Sequence, residues 1–140
     1  METPEYLHLK PGDPLPKLSG GFFKSVLVIE SQTTPEWQAE VSDWLVRSGC
    51  RYMMACGLQR QSWHDNVDWA DVDRTTKQYV PETDFVMTTD HGSPRDAFWF
   101  CQNCAIHDSF TFENTYVMHI SAEPRAAEIL ASFQSAQDED

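Results

Sequence analysis

Four short runs of mostly apolar, often β-branched residues recur along the chain, and each gap between them is long enough for a helix. These runs are Ser25–Glu30, Arg51–Gly57, Asp84–Gly92 with its exit loop, and Thr115–Ser121. Apolar runs of this length without strict polar alternation are typical of strands that are buried on both faces. The pattern therefore predicts four strands of a mainly parallel sheet.

Helical segments with recognisable ends separate these strands. Thr34 is predicted to be the N-cap of the first helix, and Gly49 supplies its stop. Ser93 is the predicted N-cap of another helix, in which Asp96 completes a capping box. The four predicted helices cover residues 34–49, 62–74, 93–105 and 122–134.

The resulting order, β-α-β-α-β-α-β-α, predicts a single-domain, three-layer α/β sandwich with a four-stranded, mainly parallel sheet and helices on both faces. Residues 1–19 hold four prolines, which indicates an extended N-terminal arm without a helix. We expect residues 20–134 to form the domain and the acidic residues 135–140 to be disordered. The alternative is an α+β fold, in which residues 109–116 add an antiparallel strand.

The chain is strongly acidic, with 22 Asp and Glu residues against 10 Lys and Arg residues and a formal net charge of −12. This charge repels nucleic-acid phosphates and anionic membrane surfaces, and it attracts basic proteins. No apolar run approaches the roughly 20 residues that cross a bilayer, and the pattern of the first residues leads us to expect no secretory signal. We therefore expect a cytoplasmic protein whose four cysteines stay reduced.

Binding sites in open α/β sheets gather at the carboxyl ends of the strands, so the predicted strands indicate where to look. The first strand ends at Glu30, and the fourth ends at His119 and Ser121. We expect the side chains that end the second and third strands to meet those that begin the second helix. This alternative small-molecule or hydrolytic site consists of Cys56, Trp63, His64, Asp90 and His91.

Histidines and aspartates at this edge raise the question of a metal site. The suitable ligands are His64, Asp65, Asp90 and His91. None of the recognised metal-binding spacings is present, and the chain after the first strand lacks the glycines that cradle nucleotide phosphates. Polar loop residues are the favoured interpretation, so we predict no metal and no other cofactor.

The cysteines raise two further hypotheses. Cys56 beside a histidine would be a candidate nucleophile, but no nucleophile elbow surrounds it, which favours a buried structural thiol. Cys101 and Cys104 form a C-x-x-C pair at the end of a predicted helix, where the helix dipole opposes a thiolate. Their spacing indicates a buried helical face, so we interpret both as core residues.

The stretch Ser62–Arg74 reads SWHDNVDWADVDR and combines two tryptophans with four aspartates. As a helix, it places Trp63 and Val67 on one face and several aspartates on another. An ordinary amphipathic acidic helix fits this pattern. A binding surface for a basic partner fits it equally well.

The segments TPEWQAEVSDWLVRSGCRYMMACG and FVMTTDH, followed by FWFCQNCA, resemble a small bacterial family known only as a domain of unknown function. The resemblance covers most of residues 20–134 and implies a bacterial, cytoplasmic protein, without an activity, a cofactor or site residues. By a looser analogy of fold, small acidic α/β proteins without catalytic motifs look like immunity proteins of the barstar type, which occupy the basic active site of a toxin.

The leading hypothesis is a non-enzymatic acidic protein that binds a basic protein, for example as an immunity or inhibitor protein against a toxin or nuclease. Its predicted partner-binding residues are Asp65, Asp68, Trp69, Asp71, Asp73, Glu30 and Asp90. The small-molecule or hydrolytic domain is the alternative. The third hypothesis is a subunit that dimerises through the aromatic residues Phe22, Phe23, Phe110 and Phe112.

Overall fold

Five strands and four helices make up the part of the chain that the computed structural model describes, residues 3–18 and 20–136. The strands are β1 (Glu5–Leu9), β2 (Phe23–Ile29), β3 (Cys50–Gly57), β4 (Met87–His91) and β5 (Asn114–Ile120). The helices are α1 (Pro35–Ser48), α2 (Arg60–Lys77), α3 (Pro94–Asn103) and α4 (Ala126–Ala136). All predicted elements are present, with boundaries shifted by a few residues.

All neighbouring strands of the sheet are parallel, in the order β1-β5-β2-β3-β4. This confirms the predicted α/β class, but the sheet has five strands and not four. The N-terminal arm supplies the additional strand, because Glu5–Leu9 pairs with β5 along one edge of the sheet. Pro4 and Pro11 lie outside this segment, so every residue within it keeps the backbone N–H that strand pairing uses.

The predicted alternative, an antiparallel strand over residues 109–116, is not found in the described chain. β5 begins at Asn114 and runs parallel to both of its neighbours. The antiparallel contact in this region is an isolated bridge between His107 and Phe110, outside the sheet. The segment before β5 therefore serves as a connection from α3.

Alternation of side chains along the strands divides the core into two layers. Leu27 and Ile29 of β2 belong to the layer that α1 and α2 cover, whereas Val26 and Val28 belong to the layer under α3 and α4. We call these two sides the α1/α2 face and the α3/α4 face. The strand order explains why the helices divide between two faces. The chain crosses the sheet in one direction from β2 to β3 to β4, so α1 and α2 lie on the same face. It returns in the opposite direction from β4 to β5, so α3 lies on the other face.

The helix ends confirm most of the predicted capping residues. Thr34 Oγ1 accepts a hydrogen bond from the backbone three residues on at 3.1 Å, and Gly49 ends α1 in the left-handed conformation, with φ 113°. Ser93 Oγ accepts a hydrogen bond from Asp96 N at 3.1 Å. The predicted capping box does not form, because the Asp96 carboxylate instead pairs with His91 Nδ1 at 2.9 Å.

The last helix begins later than predicted, at Ala126. Pro124 explains the delay, since the residue before a proline is disfavoured in the helical conformation. Disorder was expected over residues 135–140, but Ser135 and Ala136 belong to α4. Residues 137–140 lie outside the described residues.

The two tryptophans of α2 provide a matched test of this packing. Trp63 is fully buried in the α1/α2 face, and Trp69 is 69% exposed. We expect Trp63→Ala to lower the free energy of unfolding by about 3–5 kcal/mol, because it leaves a large cavity. Trp69→Ala is expected to change it by no more than about 0.5 kcal/mol. Urea unfolding followed by far-UV circular dichroism measures both, and equal losses would contradict the described orientation of α2.

Candidate functional site

Helix α2 lies beside the edge strand β4 and presents a wide outer face to solvent. It packs against α1, β3 and β4. Trp63 and Val67 are its buried side chains, whereas Trp69 and Val72 are 69% and 48% exposed. A tryptophan gains much free energy from burial, so one left exposed next to a second apolar side chain marks a candidate binding surface.

Two of the four aspartates on α2 are held by basic residues of the same helix. Asp71 lies 2.8 Å from Arg74 and accepts a hydrogen bond from the Val86 backbone at 3.0 Å. Asp73 pairs with Lys77 at 3.2 Å. These contacts compensate both charges within the helix. We therefore leave Asp71 and Asp73 out of the candidate surface, although the sequence placed them in it.

The other two aspartates, Asp65 and Asp68, have no such compensation. Within residues 3–18 and 20–136, no lysine or arginine lies within 4.0 Å of either carboxylate, and the side chain that faces both of them is the His64 imidazole. Both line a shallow depression of about 280 Å³ together with Trp69 and Val72. The four residues are spaced i, i+3, i+4 and i+7, which places them on one helical face. We call this surface the α2 patch.

The two acids predicted at the carboxyl edge are also engaged within the chain. Glu30 receives two hydrogen bonds from Arg125, at 2.6 and 2.9 Å, and one from His119 at 2.6 Å. The hydrogen bonds from Arg125 and His119 outweigh partial burial and lower the pKa of Glu30 to about 2. Asp90 lies 3.8 Å from Arg60. Neither acid lies on the α2 patch.

The five residues of the alternative site fall on opposite sides of the sheet. Cys56 and His91 are paired in register and point to the α3/α4 face, where His91 contacts α3. Trp63 and His64 lie on the α1/α2 face, and Asp90 points to the same side toward α2. The carboxyl-end rule placed them correctly along one edge, but side-chain alternation separates them. They do not form one site.

Burial raises the pKa of the Cys56 thiol to about 12. Because the thiolate is the reactive form of cysteine, this environment does not suit a nucleophile. Desolvation likewise raises the pKa of Cys50 to about 11. No disulfide links the four cysteines, all of which lie in the described residues. Cys101 is buried as predicted, but the prediction of a core position for Cys104 is wrong. It is exposed, because α3 ends at Asn103 and Cys104 is its C-cap.

The aromatic residues considered for dimerisation pack largely against their own chain. Phe23 is buried, and Phe112 packs against the core of the α3/α4 face. Phe22 and Phe110 contact each other, with ring centroids 4.3 Å apart. Phe22 nevertheless remains 39% exposed, so dimerisation through these residues stays a prediction.

A buried histidine of β5, at the centre of the carboxyl edge, is linked to three other elements. The side chain of His119 is fully buried, with Nδ1 lying 2.6 Å from Tyr6 Oη and Nε2 lying 2.6 Å from Glu30 Oε1. The Glu30 carboxylate only accepts hydrogen bonds, so His119 donates to it from Nε2. In the neutral imidazole, Nδ1 then accepts from Tyr6 Oη, which itself accepts a hydrogen bond from Arg125 N at 3.0 Å. The network fastens the start of α4 to β1, β2 and β5.

The sequence marked His119 as the end of a strand, but it gave no signal for Tyr6 or Arg125. Tyr6 was missed because the arm was not expected to pair with β5. Arg125 was missed because it lies before α4, in a segment that was predicted to be helical.

The neighbouring strands β5 and β2 are followed by helices on opposite faces, which is the arrangement that opens a crevice at their carboxyl ends. A cavity of about 330 Å³ lies at this edge. Its lining comes from residues 8–10, 13–16 and 122–124 and from Trp37 of α1. It is therefore separate from both the α2 patch and the five residues of the alternative site.

The fold and these surfaces define a parallel three-layer α/β protein with an acidic, aromatic helix at one edge of its sheet. A family model described as a domain of unknown function (DUF7684) matches residues 4–136. The chain belongs to this family, which confirms the resemblance seen in the sequence. No curated protein matches the chain. Among the described residues, no helix is long and apolar enough to cross a membrane.

The Glu30 contacts predict how stability depends on pH. The carboxylate has a folded pKa of about 2, against 4.5 for the free group, so its contribution is present above pH 4.5 and disappears as the pH falls toward 2. We expect Glu30→Gln to be less stable than the wild type at pH 7, with the difference shrinking between these two pH values.

Urea unfolding at a series of pH values measures this difference. Arg125→Gln removes the main cause of the lowered pKa, so in that background Glu30→Gln should have a smaller and less pH-dependent effect. A difference between wild type and Glu30→Gln that stays constant from pH 7 to pH 3 would contradict the assignment.

Proposed function

We propose that this protein is a non-enzymatic interaction protein that binds a basic segment of another protein through the α2 patch. The observation that carries the proposal is the exposure of Trp69, at 69%, beside two carboxylates without a lysine or arginine partner in the described chain. Tryptophan is among the residues that most often dominate binding energy at protein interfaces.

The chemistry of the α2 patch favours a cationic partner. Asp65 and Asp68 are close enough to receive hydrogen bonds from one guanidinium or ammonium group. Trp69 offers a ring face for a second cation or for the aliphatic stem of the first. The net charge of −12 adds long-range attraction, which raises the association rate of a basic partner at low salt.

The more specific parts of the proposal concern the partner and the setting. We place the protein in the bacterial cytoplasm, as an immunity or inhibitor protein whose acidic surface covers a basic site on a toxin or nuclease. The support is the acidic charge, the α2 patch and the resemblance of such proteins in size and fold class. Direct binding of nucleic acid is not part of the proposal, because the net charge opposes it.

Affinity capture from the native host, followed by binding measurements with the purified partner, tests this function. We expect a basic protein that is retained at low salt and released at high salt. Trp69→Ala is expected to weaken its binding by at least about tenfold, as is typical of an aromatic residue at the centre of an interface. The double variant Asp65→Asn/Asp68→Asn should reduce mainly the association rate and its dependence on salt.

Two matched controls make the same kinds of change outside the α2 patch. Glu36→Gln/Glu40→Gln on α1 alters the net charge by the same two units, and Tyr79→Ala removes another exposed aromatic side chain. Both controls should bind as the wild type does. The proposal fails if the controls weaken binding as much as the patch variants, or if the purified partner binds the patch variants normally.

A second proposal keeps the small-molecule function but moves it to the cavity at the carboxyl edge. This cavity of about 330 Å³ is within the size range of sites for small ligands and lies beside the crevice between β5 and β2. Its lining includes His8, Lys10 and Glu123, which suits a small polar molecule. Under this second proposal, ligand contacts fall on these residues and leave Trp69 unaffected.

A further inference from the structure

Three ligand atoms converge in the first half of α2. His64 Nδ1 lies 3.4 Å from Asp65 Oδ1 and 3.5 Å from Asp68 Oδ2. One ligand atom from each of the three residues lies within 4.8 Å of the other two. The histidine is half-buried and both aspartates are open to solvent, so an ion from solution can reach all three atoms.

Thr88 of the neighbouring strand β4 orients the His64 ring through its Nε2 atom. The Thr88 hydroxyl donates to Asp68 Oδ1 at 2.7 Å. Because its proton is used there, its oxygen accepts the hydrogen bond from His64 Nε2 at 3.2 Å. With Nε2 engaged by Thr88, Nδ1 is the ring nitrogen that faces the two carboxylates.

The spacing of His64 Nδ1 and the two carboxylate oxygens suits a metal ion. With metal–ligand distances of about 2.1 Å in a tetrahedral zinc site, the ligand atoms lie about 3.4 Å from one another. The two distances from His64 Nδ1, 3.4 and 3.5 Å, agree with this value. A nitrogen ligand beside two carboxylate oxygens favours Zn²⁺ and similar ions over Mg²⁺ and Ca²⁺, which take oxygen ligands.

We propose that His64, Asp65 and Asp68 bind one divalent transition-metal ion, with Zn²⁺ as the best fit, and that the fourth coordination position is open to water or to a partner side chain. Thr88 is a positioning residue in this site. Its hydrogen bonds orient His64 through Nε2 and leave Asp68 Oδ2 free for the metal, which is the usual role of groups behind the metal ligands.

The inference goes beyond the proposed function and connects to it. The metal takes the same two carboxylates that a basic segment would use, so the ion and the cation of a partner compete for the patch. Metal binding is measured without any partner. Failure of the metal site therefore leaves the proposed partner binding untouched, and the reverse also holds.

Isothermal titration of the whole, tag-free chain with Zn²⁺ tests the site. The measurement uses a Cys104→Ser background, because this exposed thiol is a competing zinc ligand. We expect one equivalent of Zn²⁺ to bind, no binding of Mg²⁺ or Ca²⁺ at the same concentrations, and a tetrahedral absorption spectrum when Co²⁺ is used instead. His64→Ala and Asp68→Asn should each weaken Zn²⁺ binding by at least about tenfold.

Two further variants distinguish metal coordination by this cluster from nonspecific attraction of Zn²⁺ to an acidic helix. Thr88→Val should weaken Zn²⁺ binding by about 10–100-fold although it touches no metal. Asp73→Asn removes an aspartate from the same helix outside the cluster and should bind Zn²⁺ as the background does. Circular dichroism confirms that each variant is folded.

Absence of Zn²⁺ binding in the background protein would overturn the proposal. It would also be overturned by wild-type affinity in His64→Ala, or by an equal loss in Asp73→Asn.

Discussion

Side-chain alternation in a parallel sheet that is covered on both faces governs where the candidate residues on the strands can act. Each strand position belongs to one of two cores, and a helix layer lies over each. Cys56 and His91 share one face, while Trp63 and His64 belong to the other, so these two pairs do not meet although they lie at the same edge of the sheet. The same constraint places α2 beside the edge strand β4, where one of its faces is buried and the opposite face remains open to solvent.

Much of the fold follows from local signals in the sequence, whereas much of the site does not. The apolar runs and the caps at Thr34, Gly49 and Ser93 act over a few residues, so they are readable directly. The strand β1 escaped notice because it is short, half-exposed and flanked by prolines, and its pairing with β5 joins distant parts of the chain. The order of the strands in the sheet cannot be read from the sequence either. Without that order, neither the contact of Tyr6 with His119 nor the separation of the two faces can be derived.

The acidic helix shows the same limit at the level of single charges. Its sequence indicates four similar aspartates, but pairing with basic side chains and with the backbone occupies two of them and leaves Asp65 and Asp68 available. Their position beside Trp69 gives a surface that suits a cation, either the basic group of a partner or a metal ion. The Tyr6–His119–Glu30 network, by contrast, is satisfied within the chain and serves to hold α4 against the sheet.

Hydrogen exchange of the protein with and without its purified partner distinguishes binding at the α2 patch from binding at the carboxyl-edge cavity in one experiment. We expect added protection over α2 and β4, residues 60–77 and 87–91, and no change in the cavity lining at residues 8–16 and 122–124. Protection confined to the cavity lining, with α2 and β4 unchanged, would contradict binding at the α2 patch.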